Sequence, residues 1–213
     1  MKTLLALDSS SKEGVVVLRR ADGCIFSHKN IEVQRHNAFL LPAIQDVLRA
    51  AQVRLDQVDY IACGVGPGSF VGTRLAVSVA QGLAYGLKKP LLALNHLNIL
   101  KHMAQRKYGV MNPAIALDAK MQAFYFLDAL GHTHFYRLTL LSQAQQAELC
   151  SLPNKIGDAW PLLGITASLP LIELSPEDLC QEAEQQLQQG QIIHTPSTLL
   201  PIYLNDQDNW KKL

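Results

Sequence analysis

The sequence lacks any C-x-x-C pair, because its cysteines, Cys24, Cys63, Cys150 and Cys180, are far apart. This spacing argues against a zinc ribbon, a redox motif and a disulfide scaffold, and it fits a reducing compartment. No apolar run reaches membrane-spanning length, and the first one ends at Asp8, too early for a secretory segment. We therefore expect a cytoplasmic protein that makes no membrane contact.

A run of lysines or arginines is also missing. The chain has 19 basic and 18 acidic residues, a formal net charge of +1. A protein that holds nucleic acid by itself usually carries a basic stripe, because neutralisation of phosphates dominates the affinity. Any nucleic-acid substrate would therefore be held mostly by another chain. With 48% apolar residues, the 213-residue chain has the composition of a globular protein of one domain or two small lobes.

The first half of the chain has clear hydrophobic periodicity. Short β-rich runs alternate with stretches whose apolar residues recur at helical spacing, which is typical of a mostly parallel α/β unit. The predicted elements are strands at Thr3–Leu7, Gly14–Leu18, Cys24–His28, Tyr60–Val65 and Leu91–Leu94, and helices at His36–Ala51, Ser69–Leu87 and His96–Arg106.

The second half has weaker patterns. Asn112-Pro113 marks a boundary, so we predict an N-terminal lobe over 1–110 and a smaller C-terminal lobe with a tail over 111–213. Ser175 is the predicted N-cap of the last helix, with Pro176 at its first position. The predicted elements of this half are strands at Ala114–Leu117 and Ala123–Leu127, and helices at Ser142–Cys150 and Ser175–Gln189.

The segment from Gly64 to Arg74 reads GVGPGSFVGTR and lies between a predicted strand and a predicted helix. Its glycines predict a tight loop with exposed backbone amides, and Ser69 is placed to cap the helix that follows. Amides at a helix N-terminus attract phosphate or carboxylate. The segment matches neither the P-loop nor G-x-G-x-x-G, and the residues alone favour a turn that lets helix and strand pack closely.

As a motif, G-x-G-P-G-S-F-x-G-x-R after a strand is more specific than its parts, and it is accompanied by other ordered motifs along nearly the whole chain. These are Leu4–Ser10, Asp118–Met121 with Phe124-Tyr125, and Pro201–Leu204 with Trp210–Leu213. Together they resemble the TsaB (YeaZ) family of tRNA threonylcarbamoyladenosine biosynthesis proteins. At Val71 and Thr73 the chain departs from the threonine and the branched apolar residue that the resemblance leads us to expect.

The resemblance implies an α/β fold of the actin-like ATPase (ASKHA, ribonuclease H-like) type, with two lobes that each have a mixed sheet flanked by helices. It also implies that active members cradle phosphate in the first hairpin and in a second glycine-rich loop. Gly157-Asp158 is the nearest match to that second loop, but it is followed by Ala-Trp-Pro rather than by glycines. We therefore expect no firmly bound cofactor, with ATP or ADP confined to an interface with TsaD, the catalytic relative. The residues of the vestigial phosphate loop are Asp8, Ser9, Ser10, Ser11, Gly66, Gly68 and Ser69.

The resemblance also bears on metal binding. TsaD holds its metal with two histidines one helical turn apart, and these positions match His96 and Leu100 here. Leucine cannot coordinate a metal, and His102 lies nearly on the opposite helix face, so we predict no metal site. His132 and His134 have no acidic or thiol neighbour in the sequence, and we interpret them as a surface pair.

By resemblance, the chain is a non-catalytic scaffold and activator that pairs with TsaD, is joined by TsaE, and depends on a TsaC-type synthase. It would form a homodimer when alone and reach tRNA only through the complex. Small residues recur along the Ser69–Leu87 helix on more than one face, which suits close contact with a second chain. The predicted interface residues are Leu40, Ile44, Phe70, Arg74, Ala76, Ala80 and Leu83.

Two alternatives of other classes remain open at this point. One is a nucleotide-dependent phosphotransferase of the same fold, whose ATP binding would depend on Asp8. The other is a glycoprotease-type (M22) peptidase with Ser69 as nucleophile and His36 and Asp8 as partners. The sequence around Ser69, GSFVG, is not the G-x-S-x-G nucleophile elbow, and helix capping is the simpler role for this serine.

Overall fold

The computed structural model describes residues 2–11, 13–30, 36–128, 130–171, 173–190 and 193–202. Contacts divide the chain into two compact units, the first with Met1–Ile99 and Leu174–Ile202 and the second with Leu100–Glu173. The division falls before the predicted boundary at residue 110, and a late segment of the chain returns to the first unit. Of the predicted tail, residues 203–213 lie outside the described residues.

The first unit is built on a five-stranded mixed sheet. Its strands are β1 (Leu4–Asp8), β2 (Gly14–Arg19), β3 (Ile25–Asn30), β4 (Tyr60–Gly66) and β5 (Leu91–Asn95), in the order β3-β2-β1-β4-β5. β1 pairs antiparallel with β2 and parallel with β4, so that Ala6 lies opposite both Val17 and Ala62. The predicted strands of this half are confirmed, each with small shifts at its ends.

The helices of the chain are α1 (His36–Ala51), α2 (Phe70–Leu87), α3 (His96–Tyr108), α4 (Gln143–Ser151) and α5 (Pro176–Gln188). α1 and α2 share one core with Leu5 and Leu7 of β1. Side chains alternate between the faces of a strand, so Leu4 and Ala6 point to the other face, where α5 contacts β1 and β2. Among the described residues, no helix has the length and apolar character needed to cross a membrane.

The predicted helix starts at Ser69 and Ser175 are confirmed by their caps. Ser69 Oγ accepts a hydrogen bond from Gly72 N at 3.2 Å, and Ser175 Oγ accepts one from Asp178 N at 3.3 Å. Asp178 in turn accepts from Ser175 N, which completes a capping box at the start of α5. Both helices therefore begin one residue after the serine that the sequence identified.

The second unit has a smaller mixed sheet. Its strands are β6 (Ala114–Lys120), β7 (Ala123–Leu127), β8 (Thr133–Arg137) and β9 (Lys155–Ile156), in the order β8-β7-β6-β9. β6 and β9 pair in parallel, whereas β7 pairs antiparallel with both of its neighbours. The core is centred on the fully buried Trp160 and Phe124, and Trp160 Nε1 donates to Ile156 O at 2.9 Å. The predicted α/β arrangement of two mixed sheets flanked by helices is confirmed.

Candidate functional site

The turn after β1 is closed rather than open to solvent. Asp8, Ser9 and Ser10 are at most 3% exposed. Asp8 Oδ1 accepts hydrogen bonds from Ser10 N at 2.8 Å and Ser10 Oγ at 2.9 Å, while Ser11 Oγ donates to Glu13 O. Three donors of this turn, Ser10 N, Ser10 Oγ and Ser11 Oγ, are thus directed to the chain's own oxygen atoms.

His96 joins this buried network. Its Nδ1 lies 3.2 Å from Ser10 Oγ, so carboxylate, hydroxyl and imidazole form one chain of contacts from Asp8 through Ser10 to His96. Leu100, at the position matched to a second histidine, is 1% exposed and belongs to the buried apolar residues. Among the described residues, no group of three or more His, Cys, Asp or Glu side chains is arranged to hold a metal ion.

The glycines that precede and open α2 let the turn after β1 approach closely, through the side chain of Asp8 and the backbone of Ser9 and Ser10. At three of them, an added methyl group would meet an oxygen atom at a separation far below van der Waals contact, so only glycine fits there. This arrangement supports the packing interpretation of the Gly64–Arg74 segment. The methyl group would lie 1.7 Å from Asp8 Oδ2 at Gly64, 2.2 Å from Ser10 O at Gly68, and 1.8 Å from Ser9 O at Gly72.

Ser69 has a structural role in this loop. Its backbone N donates to Ser10 O at 2.7 Å, and its hydroxyl oxygen caps α2. No histidine or carboxylate contacts the Ser69 hydroxyl within the part of the chain that the structure describes. The predicted partner His36 has a side chain that lies outside the described residues.

The structure corrects four of the predicted interface residues. Leu40, Ile44, Ala76 and Ala80 are at most 3% exposed and form part of the core between the helices and the sheet, so their side chains do not face a partner. The physical reason is that helical spacing of apolar residues marks the face that the chain's own sheet covers. Leu83 is partly buried against the same core.

The exposed face of α2 carries apolar and small residues instead. Phe70 is 58% exposed, Val71 68% and Tyr85 79%, and on α1 Leu41 is 57% exposed. Their spacing along α2 places Val71 and Tyr85 on one stripe of the helix. We call this surface the α2 stripe, and define it as Val71, Ser78, Gly82, Tyr85 and Gly86.

Phe70 and Arg74 form a stacked pair beside the α2 stripe. The Arg74 guanidinium carbon lies 3.1 Å from the centre of the Phe70 ring, and Arg74 Nη1 donates to Phe70 O at 3.2 Å. Arginine and aromatic side chains are enriched in the energetic centres of protein interfaces. Of the predicted interface residues, these two are the ones that lie outside the core of the first unit.

In the second unit, Asp118 and Asp158 hold the turn between β6 and β7. Asp158 Oδ1 accepts from Asp118 N at 2.8 Å, and Asp118 accepts from the backbone N and from Nζ of Lys120. Burial opposes ionisation of Asp118, but the hydrogen bonds from Lys120 outweigh it and lower the pKa of Asp118 below its ordinary value. Gly157 packs against Ala116 O, so Gly157-Asp158 has a structural role here, in packing against β6.

The interpretation of His132 and His134 as a pair without an acidic neighbour is wrong. Asp128 Oδ2 lies 2.9 Å from His134 Nε2 and 3.3 Å from His132 Nδ1. Burial raises the pKa of Asp128, but the hydrogen bonds from His134 and from His132 N outweigh it and lower the pKa to about 2. A turn closed by the hydrogen bond from Gly131 N to Asp128 O brings the ends of β7 and β8, and with them these side chains, together.

Asp128→Asn is expected to make the free energy of unfolding depend less on pH at acid pH. Since the folded pKa of about 2 lies below the ordinary value of 3.8, the ionised carboxylate stabilises the fold above that ordinary value. This contribution is lost as the pH falls through the folded pKa. Urea unfolding at intervals from about pH 5 down to about pH 2 should show the wild type losing its advantage over the variant. Parallel profiles would contradict this expectation.

Comparison with known proteins gives a consistent result along nearly the whole chain. The family model described as TsaD, tRNA N6-adenosine threonylcarbamoyltransferase, matches residues 30–188. The tRNA threonylcarbamoyladenosine biosynthesis protein TsaB of Escherichia coli (strain K12) is 29% identical over 99% of this chain and 97% of its own length. The protein of the same name from Haemophilus influenzae is 31% identical over the same shares of the two chains.

Solved structures agree in fold. A Pseudomonas aeruginosa protein described as similar to peptidase YEAZ has a TM-score of 0.80 and 31% identity, covering 96% of this chain and 100% of its own. A structure of YeaZ from Pseudomonas aeruginosa has a TM-score of 0.78 and 32% identity over the same shares. The two mixed sheets with their flanking helices are thus those of the actin-like ATPase fold.

Proposed function

This chain belongs to the TsaB (YeaZ) family of TsaD-like proteins, and we propose that it is a non-catalytic accessory subunit that binds a TsaD-type transferase. In this role it would activate the partner that places threonylcarbamoyl on the adenosine just 3′ of the anticodon. The relatives' name, tRNA threonylcarbamoyladenosine biosynthesis protein, supports a part in this modification. We place this activity in the cytoplasm.

The α2 stripe is the observation that carries the partner-binding proposal. Val71 and Tyr85 are 68% and 79% exposed, and exposed side chains of this size on one helix face are typical of interaction surfaces. Between them, Ser78 and Gly82 are exposed and small. A helix of the partner could therefore approach closely in the middle of the stripe while large side chains anchor both ends.

The closed state of the β1 turn supports an accessory role rather than catalysis. Asp8 and Ser10 are buried and hydrogen-bonded to each other, so their donors and acceptors are engaged within the chain. Leu100 occupies the position matched to a metal-binding histidine and is buried. Catalysis would then depend on the phosphate loops and the metal ligands of the partner.

The remaining partners follow from this role. We propose that TsaE joins the pair, that ATP or ADP binds only at the interface with TsaD, and that a TsaC-type synthase supplies the activated threonylcarbamoyl group. With a formal net charge of +1, the chain would contact tRNA chiefly through the complex. When alone, it would form a homodimer through the α2 stripe, which the catalytic partner displaces.

Mixing the purified chain with a purified TsaD-type transferase tests the proposal. Size-exclusion chromatography with light scattering should give one species with the mass of a heterodimer or of its multiple. In reactions that also contain tRNA, ATP, TsaE and a TsaC-type synthase with its substrates, threonylcarbamoyladenosine, measured by mass spectrometry of nucleosides, should form only when both the transferase and this chain are present. Separate elution, or equal modification without this chain, would sink the proposal.

A further inference from the structure

Charge is unevenly distributed along the chain, although the net charge is close to zero. From Tyr60 to Leu117 the sequence has no Asp or Glu, and from Ile156 to Trp210 it has no Lys or Arg. The basic residues of the first stretch are Arg74, Lys88, Lys89, Lys101, Arg106 and Lys107. A formal net charge of +1 therefore does not exclude a locally basic surface.

The last three of these basic residues lie on α3, in the part of the helix that belongs to the second unit. Leu100 and Met103 are at most 3% exposed and mark the inner side of this part. Arg106 and Lys107 are exposed, and Lys101 is half-buried. Residues four and five positions apart lie on one side of a helix, which places Arg106 beside Lys101. We call this surface the α3 basic surface, and define it as Lys101, His102, Arg106 and Lys107.

The position of these residues in the helix accounts for only part of their charge. Arg106 and Lys107 lie in the last turn, where the helix dipole favours positive charge. Lys101 lies a turn earlier, and α3 has no acidic residue to pair with it. An exposed helix commonly gains stability from a carboxylate four residues from a basic side chain. Here those positions hold Gln105, after Lys101, and His102, before Arg106.

The turn between β7 and β8 lies beside the α3 basic surface. A methyl group on Gly131 would lie 3.7 Å from Lys101 Nζ. Asp128 begins this turn, and its Oδ2 lies 2.9 Å from His134 Nε2 and 3.3 Å from His132 Nδ1. The carboxylate is thus directed to two imidazole rings of its own hairpin. The surface around Lys101 therefore combines nitrogen atoms from two elements, α3 and this turn.

Basic side chains spaced along one helix suit an anion with repeated charges. Lys and Arg contacts to the phosphates of a nucleic acid position it without reading its bases. We propose that the α3 basic surface contacts phosphate groups of the tRNA substrate while the catalytic partner holds that tRNA. This inference rests on the proposed function, because it takes its polyanion from the modification in which the chain would take part. The contact adds to the affinity of the complex and leaves the choice of tRNA to the partner.

The affinity of the assembled pair for tRNA tests this contact, using wild type, K101Q/R106Q/K107Q and the control K2Q/R49Q/R54Q. Both variants remove three positive charges, and the control residues are exposed residues of the first unit. At about 0.1 M salt the α3 variant should bind tRNA about tenfold or more weakly. The slope of log affinity against log salt should fall by about two to three. The control, and K101R/R106K/K107R, which keeps the charges, should bind as the wild type does.

Two further measurements separate failure of this contact from failure of the proposed function. By light scattering, the α3 variant should form the pair with the transferase as the wild type does, because α3 lies outside the α2 stripe. Titration of the isolated ¹⁵N-labelled chain with tRNA at about 50 mM salt needs no partner, and it should shift the amide resonances from Lys101 to Lys107. These shifts would be seen even if no pair with the transferase formed.

Three outcomes would overturn the proposal. One is an equal tRNA affinity of the α3 variant and its control. Another is a set of α3 amide resonances that does not move when tRNA is added to the isolated chain. The third is tighter binding of polyglutamate than of tRNA by the isolated chain at equal concentration of charge, which would assign the α3 basic surface to an acidic protein.

Discussion

Gly72→Ala is expected to destabilise the chain by about 3 kcal/mol, because the new methyl group has no place to go. It would lie 1.8 Å from Ser9 O and 2.9 Å from the carbonyl carbon of the same residue. Both atoms belong to the backbone of the turn after β1, which Asp8 and Ser10 hold from inside. For a chain of this size the melting temperature should fall by about 6–12 °C, measured by calorimetry or circular dichroism.

Gly82→Ala in the same helix is the matched control. A methyl group on Gly82 meets no described atom of the chain within 4 Å, so in the monomer only the helix propensity changes. The control should therefore gain about 0.5–1 kcal/mol, because alanine loses less backbone entropy than glycine on folding. Equal melting temperatures for the two variants would show that the approach of α2 to the β1 turn is not tight in solution.

Val71→Asp combined with Tyr85→Lys is expected to weaken binding of the TsaD-type partner by roughly 100-fold or more. Each change places a charge where the partner would cover an apolar side chain that is now 68% or 79% exposed. The helix itself should tolerate both changes, since Asp suits the first turn of α2 and Lys its last turn. Binding is measured by calorimetric titration, and threonylcarbamoyladenosine formation should fall with it.

Met111→Lys combined with Leu140→Asp is the control for the α2 stripe. Met111 is 69% exposed and Leu140 71%, so this variant puts the same two charges on exposed apolar residues outside the stripe. It should bind the partner as the wild type does. Both double variants should stay within about 1 kcal/mol of the wild type in free energy of unfolding, because neither removes a buried contact. Full-strength binding by the α2 variant would rule out the α2 stripe as the interface.

The difference between predicted and observed interface residues shows where sequence reasoning ends. Helical spacing correctly located α1 and α2, and it correctly grouped Leu40 with Ile44 and Ala76 with Ala80. It could not tell whether the apolar face of each helix meets the chain's own sheet or a second chain. The structure shows that this face meets the chain's own core, since all four side chains are at most 3% exposed. The exposed residues of the α2 stripe lie off that face.

Sequence reasoning missed the contact of Asp128 with His132 and His134 for a different reason. The three residues lie on both sides of a turn, and their side chains meet only because β7 and β8 pair in one register, with Leu127 opposite Thr133. Strand register depends on the turn and on the packed face together. A list of neighbours in the sequence does not contain that information.

The Gly64–Arg74 segment shows most clearly what the local sequence determines and what the tertiary structure determines. The sequence by itself determined that a tight glycine turn leads into a helix capped by Ser69, because backbone freedom and capping are local properties of the residues. The tertiary structure alone decided what the turn packs against. The backbone of Ser9 lies against Gly72, and the position of β1 beside the loop sets this short distance. A methyl group on Gly66 would lie at ordinary contact distance from Thr73, and the position of β1 does not set that distance.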